Sequence, residues 1–547
     1  MKKILFMCSI ILLLSGCGEN FLDTEPLTQK VNTNFYKTPS DIQNALMGIY
    51  SVVAPEDVAM SSFIVSELMS GERLPGGGPD DQAALAVGQF RNHSNDMYLS
   101  PWSRNYAGIF RANMLLSSLE QVAFNNEQQA DKAEGEARFL RAYFYFDLAK
   151  MFGTAPLVLK TESENLPKAS VDELFAQIAE DLKIAIEKLP ATACTTNDIG
   201  RTTKWAAEGY MARVFLFYTG IYKKESLPLP DGGSITKQQV IGYVDDCIAN
   251  SGRTLVPEFR NLWPYSYNTK DYAYAKDNDL SWVGEEGGNT EVIFSIRYSS
   301  AGNWDYPNMS NQMVLFFGWR AQDQVPFGQG WGWGPVSPLM WNDWPDSDLR
   351  KKGSICDVND DNEGISGFDW GGDNQQHETG LWQKKYIPIN EYVKDKESGE
   401  IKQQNISMVL YGAPTDFMLN NTQETVLLRL ADVLLMGAEL GSTKQQEYLD
   451  RVRSRVNLPS IPVTLENIKR ERRFELAFEG IRYYDLLRWG DAEKEINKLK
   501  NIPVKSANKD ELYSTKFRPE TKGFLPIPNS QIQLSNGVLI QNEGWEQ

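Results

Sequence analysis

Histidine is nearly absent from this chain. His93 and His377 are the only two among 547 residues, so a Ser-His-Asp or Cys-His nucleophile would have to be built on one of them. There is no H-E-x-x-H, no G-x-S-x-G and no phosphate loop, and no Gly-Lys pair occurs at all. The common signatures of metalloproteases, serine hydrolases and nucleotide-binding enzymes are therefore excluded. A glycosidase needs only two carboxylates, and 72 acidic residues leave that chemistry open.

Cysteine is scarce too. Beyond Cys8 and Cys17, only Cys194, Cys247 and Cys356 remain, widely spaced and without a C-x-x-C. That spacing argues against a zinc ribbon or a redox pair. One disulfide among the three and buried thiols fit equally well. No stretch after the start reaches 18 uninterrupted apolar residues, so no later segment qualifies as a membrane-spanning helix. Basic residues are in deficit, with 55 against 72 acidic and a net charge of −17. Such a surface repels nucleic acid and anionic lipid, and neither is expected as a partner.

What is present begins at the N-terminus. Lys2 and Lys3 precede an almost wholly apolar run over 4–14. As a helix that run rises only about 16 Å, against about 30 Å of bilayer core. It reads as a signal peptide, residues 1–16, that is removed. Ser15 and Gly16 sit directly before Cys17, as in a bacterial lipobox, in which the cysteine becomes the lipid-bearing N-terminus. Each buried methylene of an acyl chain contributes about 0.8 kcal/mol, so two or three chains anchor a large body.

The rest falls into three textures. Apolar residues at helical spacing predict helices over 41–53, 106–119, 134–152, 170–189, 204–218 and 238–250. Ser170 and Glu173 form a capping-box pattern. Paired helices with Ala, Tyr and Phe at their contacts predict a mostly α fold, a degenerate tetratricopeptide-like repeat scaffold. From 255 to 421, Gly, Pro, Asn, Asp, Trp and Tyr dominate, with short strand-like runs such as 291–298. Helices resume at 422–440 and 465–489. The expected organisation is therefore a lipid tether and extended segment over 17–35, a helical scaffold over 36–254 and a loop-rich insert over 255–421. C-terminal helices and a tail over 422–547 pack back on the scaffold.

The stretch "ERRFELAFEGIRYYDLLRWG" (471–490) alternates sign at helical spacing among apolar residues, which describes a helix held by ion pairs and packing. It also resembles the C-terminal signature of the SusD/RagB-like lipoproteins of Bacteroidetes. So do "FLPIPNSQIQLSNGVLIQNEGW", "GEARFLRAYFYFDLAKMFGTAPLV", "GRTTKWAAEGYMARVFLF", "ETVLLRLADVLLMGAEL" and "FLDTEP". These run in family order along the whole chain after Cys17. The resemblance implies a non-catalytic nutrient binder at the cell surface, held to the outer membrane through the lipid on Cys17. It further implies a SusC-like TonB-dependent transporter as partner, which such proteins cover as a lid, and an oligosaccharide or polysaccharide ligand. Peptide cargo is the alternative within the family, and a glycoside hydrolase the more distant one.

Sugar rings present flat C–H faces that stack on aromatic rings, while polar side chains take the hydroxyls. Two regions fit. The first is "SGERLPGGGPDDQ", expected as an exposed loop in which Arg73, Asp80 and Asp81 flank three glycines, with Tyr98 on a nearby loop. Trp102 and Tyr106 match a helix-packing pattern of the family. The second is the tryptophan-rich insert, where Trp282, Trp304 and Trp319 come first, then Tyr306 and Trp331; Trp333 and Trp341 resemble structural positions. No cofactor and no metal ligand set is expected. Structural calcium is the alternative, at Glu72, Asp80 and Asp81 or in "DVNDDNEG". The latter has Asp357, Asn359 and Asp361 at positions 1, 3 and 5 but Asn362 and Phe368 where a calcium loop needs Gly and Glu, so it reads as a hydrophilic turn.

Overall fold

The computed structural model describes residues 35–545 apart from 56–57, 163, 196–199, 268–272, 285–288, 306–308, 397, 413–415 and 417. Cys17 and Tyr306, both singled out by the sequence, lie outside the described residues.

Local signals set the helix starts. Helix α1 (Pro39–Tyr50) opens on Thr38, whose hydroxyl accepts from the Asp41 amide while Asp41 caps Thr38 in return. Helices α2 (Ser62–Met69), α3 (Leu99–Ser118) and α4 (Glu127–Phe152) follow. The predicted capping box is formed at α5 (Val171–Lys188): the Glu173 amide donates to Ser170 Oγ at 3.2 Å, and the Ser170 amide to Glu173 Oε2 at 2.9 Å. Helices α6 (Lys204–Tyr222) and α7 (Lys237–Asn250) complete the first half.

From α3 to α7 each helix packs on the one before, giving a stacked array. The central α4 buries residues on all sides, from Phe139 and Leu140 to Phe146 and Phe152, as its nearly unbroken apolar sequence dictates. Gly108 of α3 faces Phe144 of α4 so closely that a Cβ would lie 2.3 Å from its ring. Only glycine permits that approach.

The insert leaves and returns through one ladder. Strand β1 (Val292–Ile296) falls inside the predicted strand and pairs antiparallel with β2 (Thr425–Arg429), across an irregularity at Val426–Leu428. Helix α8 (Leu430–Leu440) then packs on α7, and α9 (Gln445–Ser454) on α8, so the array resumes where the insert interrupted it. Among the described residues every sheet has two strands.

Two predicted helices differ. The stretch over 422–440 begins as strand, because Thr425 to Arg429 find ladder partners in β1 before the helix starts. The stretch over 465–489 is two helices, α10 (Leu465–Glu475) and α11 (Arg482–Trp489). Between them Phe478 and Gly480 take positive φ, 65° and 74°. A Cβ on Gly480 would lie 2.4 Å from the Phe63 ring, so the chain turns there against α2.

The alternating charges of this signature are buried. Arg429 bonds Glu291, Glu475 and Glu479, while Arg350 bonds Asp348, Glu471 and Glu475. Arg472 joins Asp432 and Asp485, and Lys385 reaches Glu479 at 2.7 Å. The network ties α10 and the following turn to the insert and to β2. Cys247 and Cys356 are buried thiols elsewhere in the core.

Candidate functional site

A cleft of about 690 Å³ opens between the end of α1 and the insert. Tyr50, Val53 and Ala54 form one wall, residues 294–299 the floor, and Asp305 and Met309 the far side. The far side belongs to a loop that follows β1 and is pinned on both flanks. The Ser299 amide donates to Met309 O at 2.7 Å, Asn420 Nδ2 to Ser300 O at 3.1 Å, and the Asn311 amide to Asn421 O at 2.8 Å. Gly302 lies against the Leu419 carbonyl, where a Cβ would sit 2.4 Å from the oxygen. At the loop tip the Asp305 amide donates to Asn303 Oδ1 at 2.9 Å. Between these two residues stands Trp304, 63% exposed, a large apolar side chain left in solvent.

The polar groups of the cleft are held by buried partners. The Tyr50 hydroxyl donates to Glu136 Oε2 at 2.6 Å and accepts from the Thr202 amide at 2.8 Å. Burial, then the Glu136 charge, push its pKa well above the usual phenol range. Burial likewise raises Tyr298 to about 12. Both phenols stay protonated and polar at neutral pH. Arg297 Nη1 and Ser295 Oγ both donate to Glu424 Oε2, at 3.1 and 2.7 Å. Burial pushes the Glu424 carboxyl up, against the opposing pull of Arg297. Among the described residues neither histidine nor cysteine lines the cleft. The arrangement offers an apolar wall, an exposed indole and fixed hydrogen-bonding groups, which suits holding a ligand.

The sequence candidates separate. Trp319 is fully buried, edge-on to Phe327 and Phe368 with centroids 5.3 Å away in each case. It has no face to offer a ligand. Arg73 is buried as well, paired with Glu67 at 3.2 Å, with its guanidinium 3.6 Å over Phe317. Tyr98, expected on an accessible loop, is 2% exposed at the start of α3, and burial raises its phenol. The glycine loop, expected to be exposed, is covered: the Gly77 amide donates to Gly332 O at 2.7 Å and the Gly334 amide to Pro75 O at 2.9 Å. Its glycines serve close backbone packing against the Trp331–Trp333 stretch.

Trp282 is half-buried, edge-on to Tyr267 at 6.4 Å. Trp331 is half-buried against Phe316 at 4.8 Å. Asp81 and Trp331 come together around Arg320, which lies 3.5 Å from Asp81 Oδ2, 2.9 Å from Asp373 Oδ2 and 3.4 Å from Trp331 O. Asp80 is exposed beside them. Trp102 and Trp333 are buried, and the Tyr106 hydroxyl donates to Pro156 O at 2.8 Å. Trp341 is partly buried beneath Lys351, 4.0 Å from its ring. The two groups considered for calcium do not converge: Glu72 pairs with Arg473 and Arg482. Asp357 Oδ1 accepts from Asn359, and Asp360 pairs with Lys352.

Residue-by-residue reading missed Tyr50, Val53, Arg297 and Glu424. The first two read as ordinary scaffold. For Arg297 the one available signal was its place where the predicted strand leaves the core.

Fold and cleft together define a helical-array protein whose inserted, aromatic loop region opens a cleft against α1. Residues 290–545 match the SusD family, and residues 20–216 match a family described as starch-binding associating with outer membrane. The chain belongs to the SusD/RagB-like family. SusD-like protein P2 of Formosa agariphila is 23% identical over 98% of both chains. A SusD-like protein of Bacteroides ovatus is 25% identical, over 89% of this chain and 82% of its own. Among solved structures, a laminarin-binding SusD-like protein is 26% identical and superposes with a TM-score of 0.71, covering 93% of this chain and all of its own. Surface glycan-binding protein A from Bacteroides thetaiotaomicron, in complex with laminarihexaose, shares the fold with a TM-score of 0.71 at 20% identity, covering 92% of this chain and all of its own.

Proposed function

We propose that this chain is a non-catalytic glycan-binding lipoprotein of the cell surface. Cys17 carries the lipid that holds it at the outer membrane. It serves as the lid of a SusC-like TonB-dependent transporter, captures oligosaccharide and hands it on for import. The observation that carries the reading is Trp304, 63% exposed on a pinned loop beside a cleft of about 690 Å³. An exposed indole face stacks on the C–H face of a sugar. Wall and floor supply polar groups for the hydroxyls, Tyr50 from the wall and Ser295, Arg297 and Tyr298 from the floor, each held by hydrogen bonds. A laminarin-binding SusD-like protein and a surface glycan-binding protein in complex with laminarihexaose, both of this fold, support a glycan as the ligand class.

Few stacking rings and many flexible hydroxyls predict weak to moderate affinity. Binding of the soluble chain, residues 18–547, to a panel of polysaccharides and peptides tests the reading. Retention by a glycan that depends on Trp304 supports it. Binding of peptide in preference to every glycan contradicts it.

A further inference from the structure

Two charged side chains line the cleft beside α1, Arg297 and Asp305, and they are differently placed. Arg297 belongs to the floor. Its Nη1 donates to Glu424 Oε2 at 3.1 Å, so its charge is answered from within the protein. Asp305 stands exposed on the far side. Its amide donates to Asn303 Oδ1 at 2.9 Å, but among the described residues its carboxylate accepts no hydrogen bond and joins no ion pair.

Three further arginines lie near the α1 wall without lining the cleft. Arg201 Nη2 is 2.9 Å from Glu136 Oε1, and Arg104 Nη2 is 2.8 Å from Asp147 Oδ2. Arg111 of α3 donates to Gly48 O and Ser51 Oγ. So the one lining cation has a carboxylate, and the one lining carboxylate has no cation.

Hydrogen-bond capacity points to the same residue. A sugar hydroxyl needs an acceptor for its hydrogen. The Tyr50 hydroxyl already donates to Glu136 at 2.6 Å and accepts from the Thr202 amide at 2.8 Å, and Ser295 Oγ donates to Glu424 at 2.7 Å. A carboxylate offers two oxygens and about four acceptor sites, and its hydrogen bonds are roughly twice as strong as neutral ones. Asp305 brings that capacity unspent. It directly follows Trp304, on the loop pinned at Met309, Asn420 and Asn421, so ring and acceptor come from one segment.

We propose that Asp305 is a specificity-determining residue of this cleft. Its carboxylate accepts from two hydroxyls of a sugar ring held at Trp304, and the cleft takes neutral glycans while turning away uronic and sulfated ones. The inference rests on the reading of Trp304 as a glycan platform. A carboxylate or sulfate ester brought against Asp305 meets a like charge, and Arg297 is already bonded to Glu424. Salt screens an exposed charge, so the exclusion of acidic glycans is sharpest at low ionic strength.

The test is affinity electrophoresis of the soluble chain in low-salt gels. Laminarin, xyloglucan, arabinoxylan, galactomannan and amylopectin are the neutral probes. Polygalacturonate, alginate and chondroitin sulfate are the acidic ones. Asp305→Asn, which keeps the shape and drops the charge, runs alongside Trp304→Ala. At least one neutral polysaccharide should retard the native chain, and no acidic one should. Asp305→Asn should weaken the retention about tenfold with an unchanged melting temperature. Retardation by an acidic polysaccharide, or equal retardation of Asp305→Asn and the native chain, overturns the inference. If Trp304→Ala still abolishes retention in that case, the glycan reading stands. No retardation by any probe, or retardation indifferent to Trp304→Ala, contradicts the glycan reading itself, and the role of Asp305 falls with it.

Discussion

Trp304 and Trp319 carry the same side chain in opposite settings, one exposed and one buried. Trp304 touches little of its own protein, so Trp304→Ala should change stability by less than about 0.5 kcal/mol. Its glycan binding should fall at least tenfold, as affinity electrophoresis would register. Trp319 fills the core, so Trp319→Ala should cost about 3–5 kcal/mol in a urea titration. Both residues lie among Gly, Asn, Asp and Gln in the sequence. What separates them is contact with Phe327 and Phe368, and local sequence does not report such contacts. Glu208 offers a test through pH. It is buried, Lys204 lies 3.4 Å away, and burial still lifts its pKa to about 9. A raised carboxyl is ionised in the unfolded chain above about pH 4.5 but stays protonated in the fold, so stability falls as pH rises toward 9. Glu208→Gln removes that loss. Its stability advantage over the native chain should grow from pH 5 to pH 8 in denaturant titrations, and a constant difference would refute the assignment.

At the scale of elements, the buried network around α10 and β2 has the opposite pH sign. Burial alone would raise the Glu475 carboxyl, but Arg455, Arg429 and Arg350 outweigh it and hold it well below the usual range. Asp432 is depressed in the same way by Arg472 and Arg213. Groups of this kind stabilise the fold above their unfolded pKa and lose that contribution as pH falls through the folded value. The melting temperature of the native chain should therefore drop steeply below about pH 4.5. Glu475→Gln should be less stable at pH 7 and show a shallower drop. Arg429→Met leaves Glu291, Glu475 and Glu479 short of a partner and should cost about 3–5 kcal/mol, read from a urea midpoint. The sequence announced part of this. Alternating signs over 471–490 predicted an ion-paired helix, and the pairs exist. The partners Arg350, Arg429 and Glu291 come from distant segments that no spacing rule connects. The break at Phe478–Gly480 was hidden because apolar spacing continues across it.

At the scale of the molecule, the array of helices was legible because its helices carry apolar residues at helical spacing, several with a capping side chain at the start, as at Thr38, Ser170, Thr203 and Thr236. The insert was legible as a change of composition. Its anchoring was not, since β1 pairs with β2, which lies beyond the far end of the insert. That pairing puts the Trp304 loop next to α1 and creates a cleft that neither region announces alone. The proposed attachment to the membrane through Cys17 belongs to this scale as well. Cys17→Ser should move the protein from the membrane fraction to the soluble fraction, with glycan binding unchanged.

The central claim is that the exposed Trp304 indole beside the α1 cleft holds a glycan. Affinity electrophoresis of the soluble chain and of Trp304→Ala, against a broad polysaccharide panel, tests it most directly. The account predicts retardation of the native chain by at least one glycan, lost in Trp304→Ala while its melting temperature is unchanged. Retardation equal in the two proteins would contradict it.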